Sequence, residues 1–185
     1  MCIRDRIKTA QIPYQVPAPE DLRVRIDGVL AVLYLVFNEG YFASGSEMPA
    51  LRSELTTEAI RLTRLVRELL PDDAEVAGIL ALMLLSEARS PARITAKGEL
   101  VRLDEQDRGL WNRELIDEGL SLLDRLRGAV PGRYTLLAQI NAVHAAAVDA
   151  ELTDWQRIVE LYEQLERVDP SPVVTLGKAC LLYTS

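Results

Sequence analysis

The sequence predicts an all-α protein: antiparallel helices, about six to seven of them, forming a bundle or repeat that becomes tetratricopeptide-like toward the C-terminus. Three observations predict it. Apolar residues recur at intervals of three and four from Leu22 to Leu165. Prolines and glycines fall mainly between those periodic stretches. The one segment that reads as β, RITAKGELVRL, is short and folds back about Lys97–Gly98, as a hairpin or an ordered loop.

The elements follow in order. IPYQVPAPE, from Ile12 to Glu20, holds three prolines in nine residues and reads as an extended linker over 7–20 that enters a helical domain at 21–179. Leu22, Ile26, Val29, Leu30, Leu33, Val36 and Phe37 then form one helix face, with Gly40 as its stop and GSEMP as a loop. A second helix turns Leu55, Ala59, Leu62, Val66 and Leu69 inward and ends at Pro71. Asp72 and Glu75 have the spacing of a capping box for a third helix, Asp73 to about Arg89, which is apolar on nearly all sides and is the expected centre of the core. A fourth runs from about Asp107 to Arg127 with Trp111, Leu115, Leu122 and Leu126 on one stripe, and Pro131–Gly132 breaks it from a fifth, Tyr134 to Ala147. Thr153 and Gln156 make a second capping box for a sixth helix carrying Trp155, Ile158, Tyr162 and Leu165. Ser171–Pro172 opens a seventh in the manner of an N-cap and an N1 proline. The helix-pair pitch of roughly 35 residues here is like that of tetratricopeptide repeats.

Composition narrows the chemistry. The 185 residues carry 21 Lys+Arg against 28 Asp+Glu, a net charge of −7, and 49% are hydrophobic. That acidity argues against binding nucleic acid by phosphate neutralisation, and the longest apolar runs fall short of the ~20 residues that span a bilayer. The two ends stand apart. One permitted set of codons for MCIRDR, read on the opposite strand in another frame, encodes C-L-L-Y-T, the start of CLLYTS. The string resembles the end sequence of a transposase used to prepare DNA libraries. Residues 1–6 and 180–185 are therefore expected to be cloning or assembly scars, and the remainder part of a longer chain. Both cysteines, Cys2 and Cys180, lie in those ends; Ile7–Ala179 keeps 19 basic and 27 acidic residues, net −8. With no disulfide framework and no export signal, a reducing cytoplasm is expected.

His144 is the only histidine, so a His/Cys zinc site cannot be assembled from this segment, and HExxH, phosphate-loop and dinucleotide fingerprints are absent. No catalytic, metal or cofactor residue is expected, and His144 reads as a core or interface side chain. Three clusters remain. In YLVFNEGY, Asn38, Glu39 and Tyr41 follow a strongly apolar run, either as an ordinary helix end or as a polar pocket. In QDRxxW, Asp107 is placed to cap a helix, Arg108 to pair with a carboxylate and Trp111 to pack beneath. In TDW, Trp155 sits on the first turn of a capped helix.

Taken in order, YLVFNEGY (34–41), EAIRL (58–62), ALMLL (81–85), QDRxxW (106–111), TDWxxIxxLY (153–162) and PSPVV (170–174) resemble the C-terminal extension of a group of extracytoplasmic-function RNA polymerase sigma factors of the sigma-70 class. The likeness covers about residues 8–176. It departs at Ser86, where the family usually has histidine, and at Gly177–Lys178, where an Asn-Arg pair is usual. The resemblance implies that two sigma domains, absent here, precede an IPYxVP linker and a tetratricopeptide-like extension. It implies a regulatory, protein-interacting role in transcription initiation, with the parent's own sigma domains or RNA polymerase as partners and no direct nucleic-acid contact by this segment. Asn38, Glu39, Tyr41, Asp107, Arg108, Trp111 and Trp155 are the expected interaction or pocket residues. A free-standing helical-repeat scaffold is the alternative, and a ligand-sensing pocket around Asn38, Glu39 and Trp111 a third reading.

Overall fold

The computed structural model describes residues 19–42, 49–95 and 99–184. The expected N-terminal scar, the linker up to residue 18, most of GSEMP and the Lys97–Gly98 turn lie outside the described residues. Those described form helices α1 (Pro19–Phe42), α2 (Pro49–Leu69), α3 (Ala74–Glu87), a single turn α4 (Ser90–Arg93), α5 (Arg113–Arg125), α6 (Arg133–Ala146), α7 (Trp155–Val168) and α8 (Pro172–Thr184). Two 3-10 turns, Leu103–Glu105 and Arg108–Leu110, precede α5. The fold is all-α, and the only β pairing among the described residues is one antiparallel bridge, Ile94 with Leu100. No described helix is long and apolar enough to cross a membrane.

Helix α3 is the hub. Every residue from Val76 to Ser86 is buried, and a helix with no polar face must be covered on all sides. Each large aliphatic side chain withdrawn there contributes about 2 kcal/mol. Its N-cap is Asp73, whose carboxylate accepts from the Glu75 and Val76 amides, both at 3.0 Å. The cap thus lies one residue beyond the expected Asp72, and Glu75 does not fold back to close a box. Instead it reaches across to α6, accepting from the Tyr134 amide at 2.8 Å, the Thr135 amide at 3.1 Å and the Thr135 hydroxyl at 2.6 Å. Gly132, the α6 N-cap, has no side chain of its own to offer, so a neighbour's carboxylate does the capping.

Antiparallel neighbours complete the layer. Thr63 of α2 donates to the Met83 sulfur, Gly119 of α5 lets Leu85 approach, and the Asn112 amide bonds the Ala88 carbonyl at the end of α3. One hydrophobic cluster gathers α1 to α6 around α3. A second holds Leu136 and Ile140 of α6 with Ile158, Leu161 and Leu165 of α7 and Val174 of α8. The helix pair α6–α7 is followed by α8 after 39 residues, from Arg133 to Pro172.

Other boundaries move for local reasons. Gly40 does not stop α1, which continues through it to Phe42. Val29 and Leu69, expected inside, are 46% and 80% exposed: Val29 belongs to the outer side of α1, and Leu69 is the last residue of α2. Helix α5 starts at Arg113 with Asn112 as its cap, not near Asp107, and its buried row is Ile116, Gly119 and Leu123. Asp154, not Thr153, caps α7, accepting from the Arg157 amide at 2.9 Å. Ser171 caps α8 as expected, and α8 runs on through residues 180–184, with Leu181 packed against the second cluster.

Candidate functional site

The last carbonyls of a helix need donors from outside it, and at the end of α6 they come from Arg108. One guanidinium nitrogen donates to the His144 carbonyl at 2.6 Å and the Ala147 carbonyl at 2.8 Å. A positive charge there also opposes the negative end of the helix dipole. Arg108 is aimed by its own turn: Asp107 accepts from the Gly109 amide at 2.8 Å, and the Trp111 ring lies under the guanidinium at 4.7 Å. Arg108 therefore binds carbonyls rather than the carboxylate expected for it, and Asp149 is the acidic group that acts on it electrostatically. Trp111 is buried at 3% exposure, and its indole N–H has no partner among the described residues.

A second arginine closes the same end. Arg89 donates to the Asn141 side chain at 2.8 Å, and Asn141 in turn donates to the Leu137 carbonyl at 3.1 Å. His144 is enclosed by these groups. Burial first, then the charges of Arg89 and Arg108, push its pKa down to about 4, so the ring is neutral at pH 7. Its edge meets the Trp155 ring at 5.5 Å and 73°. Trp155 stays 38% exposed, beside a turn in which Val148 and Leu152 are 79% and 67% exposed. Asp107, Arg108, Trp111 and Trp155 are thus brought to one end of α6.

Asn38, Glu39 and Tyr41 sit elsewhere, at the end of α1. Asn38 bonds the Tyr34 hydroxyl, whose pKa burial raises and that bond partly restores. Tyr34 meets Tyr134 of α6 edge-on at 5.5 Å. Tyr41 stacks on Phe37 at 5.5 Å, and Arg93 lies 3.8 Å over its ring while donating to the Tyr41 carbonyl. Glu39 is exposed. Behind Arg93, Glu87 is driven up in pKa by burial, against bonds from Ser90 and Thr56 and the charge of Arg93.

In the sequence Glu75 stood out only as half of a capping box and Arg89 only as a helix end, and Glu87, Arg93 and Asn141 were not singled out. The available signal was charge beside apolar helix: SEARSPAR sets two arginines and a glutamate at the end of the most buried helix, where each needs a partner. Among the described residues no group of three or more His, Cys, Asp or Glu is placed to hold a metal. What the site offers is an exposed aromatic–aliphatic surface with acidic Asp149, Glu151 and Asp154, mounted on an arginine-locked helix end.

An uncharacterized protein of Rhizobium meliloti (strain 1021) is 46% identical over 176 residues, which cover 94% of this chain. The match takes in 41% of that relative, so the chain spans well under half its length. No solved structure matches. Residues 25–127 match a family of unknown function, DUF6596, over more than half the chain. The chain belongs to that family.

Proposed function

We propose that this chain is a regulatory, protein-interacting module of a bacterial sigma factor, acting in the cytoplasm on transcription initiation through contacts with the sigma domains or RNA polymerase. The observation that carries the interaction role is the exposed cluster Val148, Leu152 and Trp155, rimmed by Asp149, Glu151 and Asp154. Tryptophan is a residue type that anchors protein contacts, and an exposed apolar patch with a polar rim marks an interaction surface. The acidic rim suits a basic partner, such as a DNA-binding surface that the module would cover. The transcription link is supported by the six ordered motifs from Tyr34 to Val174.

The test is co-purification with the sigma domains encoded upstream, in moderate salt. Association that Trp155→Ala weakens supports the reading; no association, or an initiator codon directly ahead of the IPYQVP segment, sinks it. In the latter case the second reading, a free-standing helical-repeat scaffold, takes over. That reading is favoured by α6 serving both clusters, as a shared helix does in a stacked array.

A further inference from the structure

Helix α1 is apolar on two faces. Leu30, Leu33 and Phe37 are buried against the bundle, while Val29, Val32 and Leu35 on the other side are 46%, 58% and 67% exposed. Gly28 and Ala31 on that outer side are exposed too, and a Cβ built on Gly28 would have no neighbour within 4 Å. Exposed Arg25 and Glu39 end the stripe, and neither forms an ion pair with another residue whose side chain the structure describes, which excludes those of 19–24. Glu39 also sits in the last turn of α1, where the helix dipole disfavours an anion.

We infer that the outer face of α1 pairs antiparallel with the same face of a second copy of this chain, about a two-fold axis at Val32. Positions 25, 32 and 39 are seven apart, so they share one row of the helix. Antiparallel pairing centred on Val32 sets Val29 of each copy against Leu35 of the other. It also brings Arg25 of each copy to Glu39 of the other, at both ends. The charge pattern is thus self-complementary, as an isologous contact requires, and the small residues Gly28 and Ala31 let the helices approach. A seam of 15 residues is only about 21 Å long, so the buried area falls at the small, transient end of specific interfaces.

The test is sedimentation equilibrium of the full chain between about 5 and about 500 µM, a range that brackets an interface of this size. A reversible monomer–dimer equilibrium is expected in the tens of micromolar. Val32→Glu sets two carboxylates against each other on the axis and is expected to leave a monomer with unchanged far-ultraviolet circular dichroism. Arg25→Glu or Glu39→Arg alone weakens association at least about tenfold, because like charges then face each other. The double swap Arg25→Glu/Glu39→Arg restores it, which neither misfolding nor unspecific stickiness would do. A chain that stays monomeric throughout overturns the inference. So does a dimer that Val32→Glu leaves intact or the double swap fails to restore.

Discussion

Two hydrophobic clusters divide the molecule unequally. The first surrounds α3, a helix buried on every face, and draws residues from α1 through α6. The second joins one row of α7, Ile158, Leu161 and Leu165, to Leu136 and Ile140 of α6 and Val174 of α8. Helix α7 keeps charged residues on its outer sides, and α8 leaves Val173 and Leu176 78% and 64% exposed. Leu137 of α6 packs against both clusters. Helix α6 therefore couples the two: damage to the α3 hub reaches everything, whereas damage beyond α6 can stay local.

The hardest way to break this arrangement is at Gly78. A Cβ there would lie 2.7 Å from the Thr135 amide nitrogen and 2.8 Å from its Cα, so α6 itself must move. Overpacking that a neighbour can absorb costs about 1–3 kcal/mol; against backbone, Gly78→Val is expected to cost about 4 kcal/mol or more. Chemical denaturation monitored in both clusters should show them failing together. Retention of wild-type stability would mean that α3 and α6 are less closely docked than the geometry requires.

Leu161→Ala tests the other half. Leu161 is 1% exposed, and its truncation should cost about 3 kcal/mol. The loss is expected in amide-exchange protection of α7 and α8, with α3 still protected at its wild-type level. If α3 loses protection equally, the molecule is one cooperative unit and the division into two clusters has no thermodynamic meaning.

A third test uses the end of α6, where the clusters meet. His144 has a folded pKa of about 4 against 6.5 when unfolded. The unfolded chain therefore takes up a proton as pH falls through 6.5, and the folded chain refuses it until about 4. Stability from this group is fully present above pH 6.5, is lost across that window, and levels off below it. The loss is about 3 kcal/mol, since the fall from 6.5 to about 4 counts about 1.4 kcal/mol for each pH unit. His144→Gln should flatten that part of the pH–stability curve, leaving the carboxylate contribution at lower pH. An unchanged curve would place the ring in water rather than between Arg89, Arg108 and Trp155.

How much of this was legible in the sequence depends on where the interaction partners lie. Periodicity exposed α3 as the centre, because VAGILALMLL has no polar face to give to solvent. It misjudged Val29, since a helix apolar on both sides, as α1 is, does not say which one meets the bundle, and Leu69, which falls at the very end of α2. The capping boxes failed for a related reason. Spacing identifies residues able to close a box, but Glu75 bonds α6 59 and 60 residues away instead. At the candidate site, QDRxxW and TDW could be recognised separately, but their meeting at the end of α6 is set by Arg108 reaching 36 and 39 residues along the chain. Local chemistry was readable; the long-range carboxylate and guanidinium bonds were not.

The N-caps of α3 and α7 allow one kind of change to be made in both regions. Asp73 caps α3 and Asp154 caps α7, each accepting backbone N–H bonds near 3.0 Å. Replacing either by alanine removes a side-chain N-cap, two amide bonds at Asp73 and one at Asp154, and costs about 1 kcal/mol. The costs should appear in different places. Asp73→Ala loosens the first turn of the hub, directly beside the Glu75 carboxylate that holds α6, so it should lower the global unfolding midpoint. Asp154→Ala loosens a helix whose buried row lies in the second cluster, so it should raise local opening of α7 and α8 while the global midpoint moves less. Exchange rates measured for both variants decide it: equal global shifts would join the two clusters into one unit, and the Leu161→Ala result would have to agree.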